Sequence, residues 1–128
     1  MSKILEDDVV SLSLLEILVE NSFDSIVVTD ASAEGNIIYA NKAFKTLTGY
    51  DASDVLGKTP RILQGTGTDL KVIARLGEAL KSNETFEGRA INYKKDGTPF
   101  IMYWRVLPVK VEGDTKVWVA IQREGASI

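Results

Sequence analysis

The sequence predicts an α+β domain, a five-stranded antiparallel sheet with short helices on one face and an amphipathic helix in front. Three observations predict it. Apolar residues at helical spacing open the chain between Leu5 and Asn21. β-branched runs bounded by turn residues occur twice before residue 41 and three times after residue 84. Between them lie apolar stretches cut by glycine and introduced by Asn, Asp or Thr, long enough only for brief helices.

In the first helix Leu5, Val9, Leu12, Leu15 and Val19 form the stripe, widened by Leu14 and Leu18. That is more apolar surface than a free N-terminal arm should carry. The helix therefore packs on its own domain, meets a second subunit, or does both. Ser25 to Thr29 and Asn36 to Ala40 read as a strand pair joined by the polar turn Asp30 to Gly35. Asn41 caps a short helix that turns Phe44 and Leu47 inward and ends at Gly49. A second short helix spans Ala52 to Leu56 and stops at Gly57.

The segment Gly57 to Asp69 follows, with glycines at 57, 65 and 67 and a proline at 60. Thr59-Pro60 reads as an N-cap followed by proline at the first helical position. Arg61 and Gln64, three apart, then share one side of a short helical turn. They suit either a ligand clamp or a surface connector. Thr68 or Asp69 caps the next helix, whose stripe is Ile73, Leu76 and Leu80 flanked by Val72 and Ala79, closing at Lys81-Ser82-Asn83. The rest is β: Thr85 to Lys94, a turn at Lys95-Asp96-Gly97, a long strand Thr98 to Val109, a turn at Glu112-Gly113-Asp114, and a last strand Lys116 to Arg123. Glu124 to Ile128 reads as a tail or linker.

With 128 residues, 45% of them hydrophobic and 26% charged, the chain is the size of one domain able to bury a core. Its formal net charge is -3 and no basic block occurs, which argues against nucleic acid as the main partner. No apolar run is long enough to cross a bilayer and no signal peptide is visible, so a cytoplasmic protein is expected. Cysteine and histidine are both absent from the sequence. That removes thiolate nucleophiles, disulfides, cysteine- or histidine-ligated metals and the Ser-His-Asp triad. An enzyme is not expected.

Alternation along the last three strands assigns sides. One face takes Phe86, Gly88, Ala90, Asn92, Phe100, Met102, Trp104, Val106, Trp118, Ala120 and Gln122. The other takes Arg89, Ile91, Tyr93, Ile101, Tyr103, Arg105, Leu107, Val119 and Ile121. The first face collects the large rings and belongs under the helices. It also carries Asn92 and Gln122, and a buried amide needs partners. Strand-end pairing with backbone and recognition of a planar ligand's polar edge both satisfy that need. The small residues Gly88, Ala90 and Ala120 leave room for a ligand. The second face is apolar enough to need a cover, which the N-terminal helix of this chain or of a partner supplies.

At this point the sequence resembles a known family. Ile37-Ile38-Tyr39-Ala40-Asn41-Lys42-Ala43-Phe44, Thr48-Gly49-Tyr50, Val55-Leu56-Gly57, Arg61-Ile62-Leu63-Gln64-Gly65, Gly67-Thr68-Asp69, Asn92-Tyr93-Lys94-Lys95-Asp96-Gly97-Thr98-Pro99-Phe100 and Ala120-Ile121-Gln122 are similar to PAS domains of the flavin-binding light-oxygen-voltage (LOV) branch. The resemblance covers about residues 23 to 123. It makes 1–22 a capping or dimerising helix, 23–123 a PAS/LOV-like sensor domain and 124–128 a tail. It implies that Arg61 pairs with a flavin phosphate and that Gln64 lies near the ribityl chain and ring. It likewise implies that Asn92 bonds the pyrimidine edge and that Gln122 sits beside the C4 carbonyl and N5.

The departures matter as much. The family's motif Gly-x-Asn-Cys-Arg-Phe-Leu-Gln has Thr59 in place of its Asn and Pro60 in place of the photoactive Cys, so no thiol adduct forms. A second pyrimidine Asn falls at Met102. A second phosphate Arg falls at Gly77, with Arg75 close by in sequence. Trp104 and Ala120 replace smaller residues. Two readings stay open. One is a cysteine-less sensor binding FMN, answering light or redox state through flavin reduction and rotation of Gln122. FMN is preferred to FAD because the loop Gly65 to Thr68 is short. The other is a cofactor-free PAS module for dimerisation and signal relay, in which Pro60, Met102 and Trp104 are core filling. A homodimer through the N-terminal helix and outer sheet face, and a downstream signalling domain, are expected partners.

Overall fold

The computed structural model describes residues 7–126. Leu5, the first residue of the expected apolar stripe, lies outside them.

Helix α1 (Asp8–Glu20) starts where the Asp7 carboxylate accepts from the Val10 amide at 3.1 Å. None of its residues is buried, and Leu12, Leu15 and Leu18 are 61%, 50% and 57% exposed. Nor are its apolar residues confined to the one stripe that the sequence predicts: Val9, Val10 and Ile17 are exposed as well, so apolar surface surrounds the helix and most of it does not pack on its own domain. Among the described residues, its ties to the sheet are at the C-terminal end. The Tyr39 hydroxyl donates to the Glu20 carboxylate, and Asn41 Nδ2 donates to the Val19 carbonyl at 2.8 Å.

The sheet has the order β2-β1-β5-β4-β3, with antiparallel neighbours throughout. Its strands are β1 (Ser25–Asp30), β2 (Ile37–Ala40), β3 (Phe86–Tyr93), β4 (Pro99–Val111) and β5 (Asp114–Glu124). The strand that begins the domain thus pairs with the one that ends it. One row across the inner face reads Ser25, Gln122, Trp104 and Gly88, each in register with the next. The β4–β5 turn is tighter than the sequence predicts. Glu112 and Gly113 both take positive φ, 52° and 86°, as a two-residue hairpin matched to strand twist requires. Both strands are correspondingly longer, and past Glu124 the Gly125 amide still donates to the Ile101 carbonyl at 2.8 Å. The expected tail therefore begins as sheet.

Between the two strand groups lie α2 (Lys42–Thr48), α3 (Ala52–Val55), a 3-10 helix (Pro60–Leu63) and α4 (Leu70–Lys81). They cover the inner face. Phe44, Val55, Leu63 and Phe86 are 2% exposed or less, each contributing about 1.5–3 kcal/mol by burial. Asn41 organises this layer. Its Oδ1 accepts from Ile26 and Phe44, and its Nδ2 donates to Val19 and Asp24, so one buried amide joins α1, β1 and α2. Gly49, at φ 81°, ends α2 as predicted.

The edge strand β3 is closed by side chains. Thr68 Oγ1 donates to the Ile91 carbonyl at 2.7 Å, and Arg75 donates to the Glu87 carbonyl at 2.9 Å. The outer face is not covered by α1 among the described residues. Ile91 and Tyr103 remain 39% and 38% exposed. There Tyr103 and Arg105 converge on Glu87 at 2.9 and 3.1 Å, holding its carboxyl below the usual range. No described helix is long and apolar enough to cross a membrane.

Candidate functional site: an amide-lined cavity

A cavity of about 210 Å³ lies between the inner face of the sheet, the 3-10 helix and α4. The sequence names Thr59, Arg61, Gln64, Asn92, Met102, Trp104 and Gln122 as candidate site residues, and all of them line it. They come from the 3-10 segment, β3, β4 and β5, so chain folding alone brings them together.

The 3-10 segment carries the mouth. Pro60 opens this 3-10 turn, where its φ is already set and its missing N–H leaves no bond unmade. Thr59 stands at the cap position, but its side chain makes no cap hydrogen bond. Thr59 lines the cavity with its hydroxyl unspent on the cap. Arg61 is exposed at the rim, and among the described residues no carboxylate lies in salt-bridge reach of it. Glu34, from the β1–β2 turn, shares the rim. The electrostatics are thus one cation and one anion outside and neutral amides inside.

Asn92 and Gln122 are 4% and 3% exposed. Asn92 Nδ2 lies 3.5 Å from Met102 Sδ; with the amide turned over it donates instead to the carbonyls of Ile91 and Leu63 at 3.2 and 3.3 Å. The second orientation uses stronger acceptors and leaves Oδ1 as the end beside Met102. Gln122 Oε1 accepts from Ser25 Oγ at 2.9 Å. Its Nε2 makes no hydrogen bond among the described residues. No fully buried side-chain nitrogen or oxygen there lacks a partner, so Nε2 opens onto the cavity.

Arg75 does not join the site. Its guanidinium lies 4.8 Å over the Phe86 ring and is bonded to the Glu87 carbonyl. The space at Gly88 explains this. A Cβ there would stand 2.6 Å from the Phe86 ring and 2.8 Å from Arg75, so the protein itself fills the room the sequence reading assigned to a ligand. Ala120 does line the cavity. Phe86 in turn packs on Trp104, with ring centroids 5.1 Å apart at 51°.

Sequence reasoning missed Glu34 and Thr29, which reach the cavity only because β1 sits beside β5. It also missed Ser25 as the partner of Gln122, 97 residues away. It noted Gly77 as a departure from the family, and that glycine lines the cavity with open space at its would-be Cβ.

Chemically, the site can grip a planar molecule by its polar edge and stack apolar and aromatic groups on it. Among the described residues no cluster suited to a metal ion occurs. The donor set fits a flavin. Amides meet a ring edge that both donates and accepts, indoles flank the space, and a cation without a carboxylate partner stands at the mouth.

A protein-family model described as PAS domain matches residues 24–124, and the chain belongs to that family, in its LOV branch, without the branch's photoactive cysteine. It is 46% identical over 76 residues to a blue-light-activated histidine kinase of Brucella anthropi, across 59% of this chain and 16% of that one. It is 41% identical over 87 residues to phototropin-2 of Oryza sativa subsp. japonica, across 67% of this chain and 10% of that one. The chain therefore spans a small part of these relatives. The LOV domain of the Erythrobacter litoralis EL346 blue-light activated histidine kinase superposes with a TM-score of 0.77 at 31% identity, covering 81% of this chain and 97% of that one.

Proposed function

We propose that this domain is a cytoplasmic sensor that binds FMN non-covalently and answers light or redox state without a cysteinyl adduct. One observation carries the reading: Gln122, buried and half-satisfied, directs its free Nε2 into a cavity that Asn92, Gln64 and Arg61 also line. Asn92 and Gln64 would hold the ring, and Arg61 the phosphate. A bound flavin supplies visible absorption and a ring nitrogen, N5, that changes from acceptor to donor on reduction.

Gln122 converts that change into movement. In the arrangement described above, Nε2 is the cavity end and Oε1 the Ser25 end. Meeting a donor requires the amide to turn over, which takes Oε1 away from Ser25 and obliges the hydroxyl to accept instead of donate. Ser25 follows Asp24, whose carboxylate holds Arg123 at 2.7 Å and whose carbonyl is held by Asn41 together with that of Val19. The strain reaches the end of α1 through these bonds, as a shift of population.

The exposed apolar residues of α1 and the uncovered outer face support a homodimer formed through both surfaces, which would pass the change to a downstream signalling domain. The charge of -3 supports protein rather than nucleic acid as the partner. A second reading, the cofactor-free dimerisation module, is favoured by one observation: Met102 and Trp104 narrow the cavity to about 210 Å³. Visible absorption of the purified protein, before and after added FMN, decides between them. If flavin binds, Gln122→Leu should blunt any light-driven change in shape.

A further inference from the structure

We propose that Trp104 is the electron donor to a flavin held in this cavity. The inference rests on the flavin reading above and deepens it. Photochemistry without a thiol needs another source of electrons close to the ring, and the sequence contains no cysteine and no histidine.

Trp104 is 5% exposed and lines the cavity. It is in register with Gln122 on the same inner face, and such neighbours stand about 5 Å apart. The indole thus lies beside the amide that addresses the reactive edge of the ring. Its Nε1 makes no hydrogen bond among the described residues and, by the argument used for Gln122, opens onto the cavity. Packing on Phe86, which is itself covered by Arg75, fixes the indole plane.

The competing donors are less well placed. Tyr39, Tyr93 and Tyr103 are engaged with Glu20, Gly67 and Glu87, and none of the four tyrosines lines the cavity. Trp118 also lines the cavity, but it is four residues along β5 from Gln122, about 13 Å between Cα atoms at strand rise. It therefore faces a different part of the cavity from the edge that Gln122 addresses.

In the proposed step Trp104 gives one electron to the photoexcited ring, and the proton taken up at N5 comes from solvent. The oxidised indole regains its electron from a dissolved thiol. Two such turnovers join two thiols as a disulfide and leave the ring reduced by two electrons.

The test uses the flavin-loaded protein with Trp104→Phe and Trp118→Phe. Flavin content is read first by absorbance. Wild-type protein that takes up no flavin overturns the flavin reading, and this proposal with it. With flavin bound, Trp104→Phe should lengthen the fluorescence lifetime several-fold and slow anaerobic photoreduction by thiol, while Trp118→Phe should change both little. Unchanged quenching in Trp104→Phe, or a larger effect from Trp118→Phe, overturns this proposal alone. Should Trp104→Phe lose its flavin, flash spectroscopy of the unmodified protein decides the matter. The same measurement on Trp118→Phe makes it specific: a tryptophan radical that persists there as the flavin band bleaches supports the proposal, and bleaching without one contradicts it.

Discussion

Ser25 and Gln122 face each other across β1 and β5, and Ser25 Oγ donates to Gln122 Oε1 at 2.9 Å with both side chains buried. This bond sets which end of the amide meets the cavity. Ser25→Ala removes the donor and leaves Oε1 unpaired, at a cost of about 1–3 kcal/mol. Urea unfolding should register that loss. In flavin-loaded protein the variant should also shift the flavin band, because Gln122 becomes free to present either end.

Asn41 is the joint between the sensor layer and α1. Asn41→Ala deletes four hydrogen bonds, among them the cap of α2. The expected loss is about 2 kcal/mol or more. Hydrogen exchange should accelerate at Ile17 to Asp24 more than in β4, since only the former segment loses its tie.

Tyr93 clasps the loop after the 3-10 helix. Its hydroxyl accepts from the Gly67 amide at 2.7 Å, and a Cβ at Gly65 would stand 2.3 Å from its ring. Gly65→Ala must push the ring aside and break that bond, costing about 1–3 kcal/mol. Combining it with Tyr93→Ala should cost less than the sum of the two single changes, since the clash is then gone.

Desolvation and the Glu20 carboxylate push the Tyr39 hydroxyl up to about 12, from an ordinary value of 10. Between pH 10 and about 12 the unfolded chain has lost this proton and the folded chain keeps it. Stability from this pair is therefore complete below pH 10 and declines as pH rises through that window. Ultraviolet titration should find two tyrosines ionising late, Tyr39 and the Tyr103 held by Glu87, and Tyr39→Phe should abolish only the component near 12.

Much of this was legible because strands have a period of two. Placing Phe86, Phe100, Met102 and Trp104 on one face carried Asn92 and Gln122 there with them, and the cavity follows. Long-range pairing was not legible. Nothing local says that β1 lies against β5, so Ser25, Thr29 and Glu34 were invisible as site residues. Arg75 misled because sequence distance from Gly77 says nothing of the ring at Phe86 on which it comes to rest. Helix α1 departs from the single stripe read in the sequence: Val9, Val10, Leu12, Leu15, Ile17 and Leu18 are exposed all round it, and the pattern could not say that its own domain leaves them so.

The most direct test of the central claim is the absorption spectrum of the purified protein incubated with FMN and freed of excess. The account predicts a structured flavin band in the blue, with bound flavin approaching one per chain and no thiol-adduct species on illumination. A protein that remains colourless after this treatment contradicts it and leaves the cofactor-free module as the reading of this cavity.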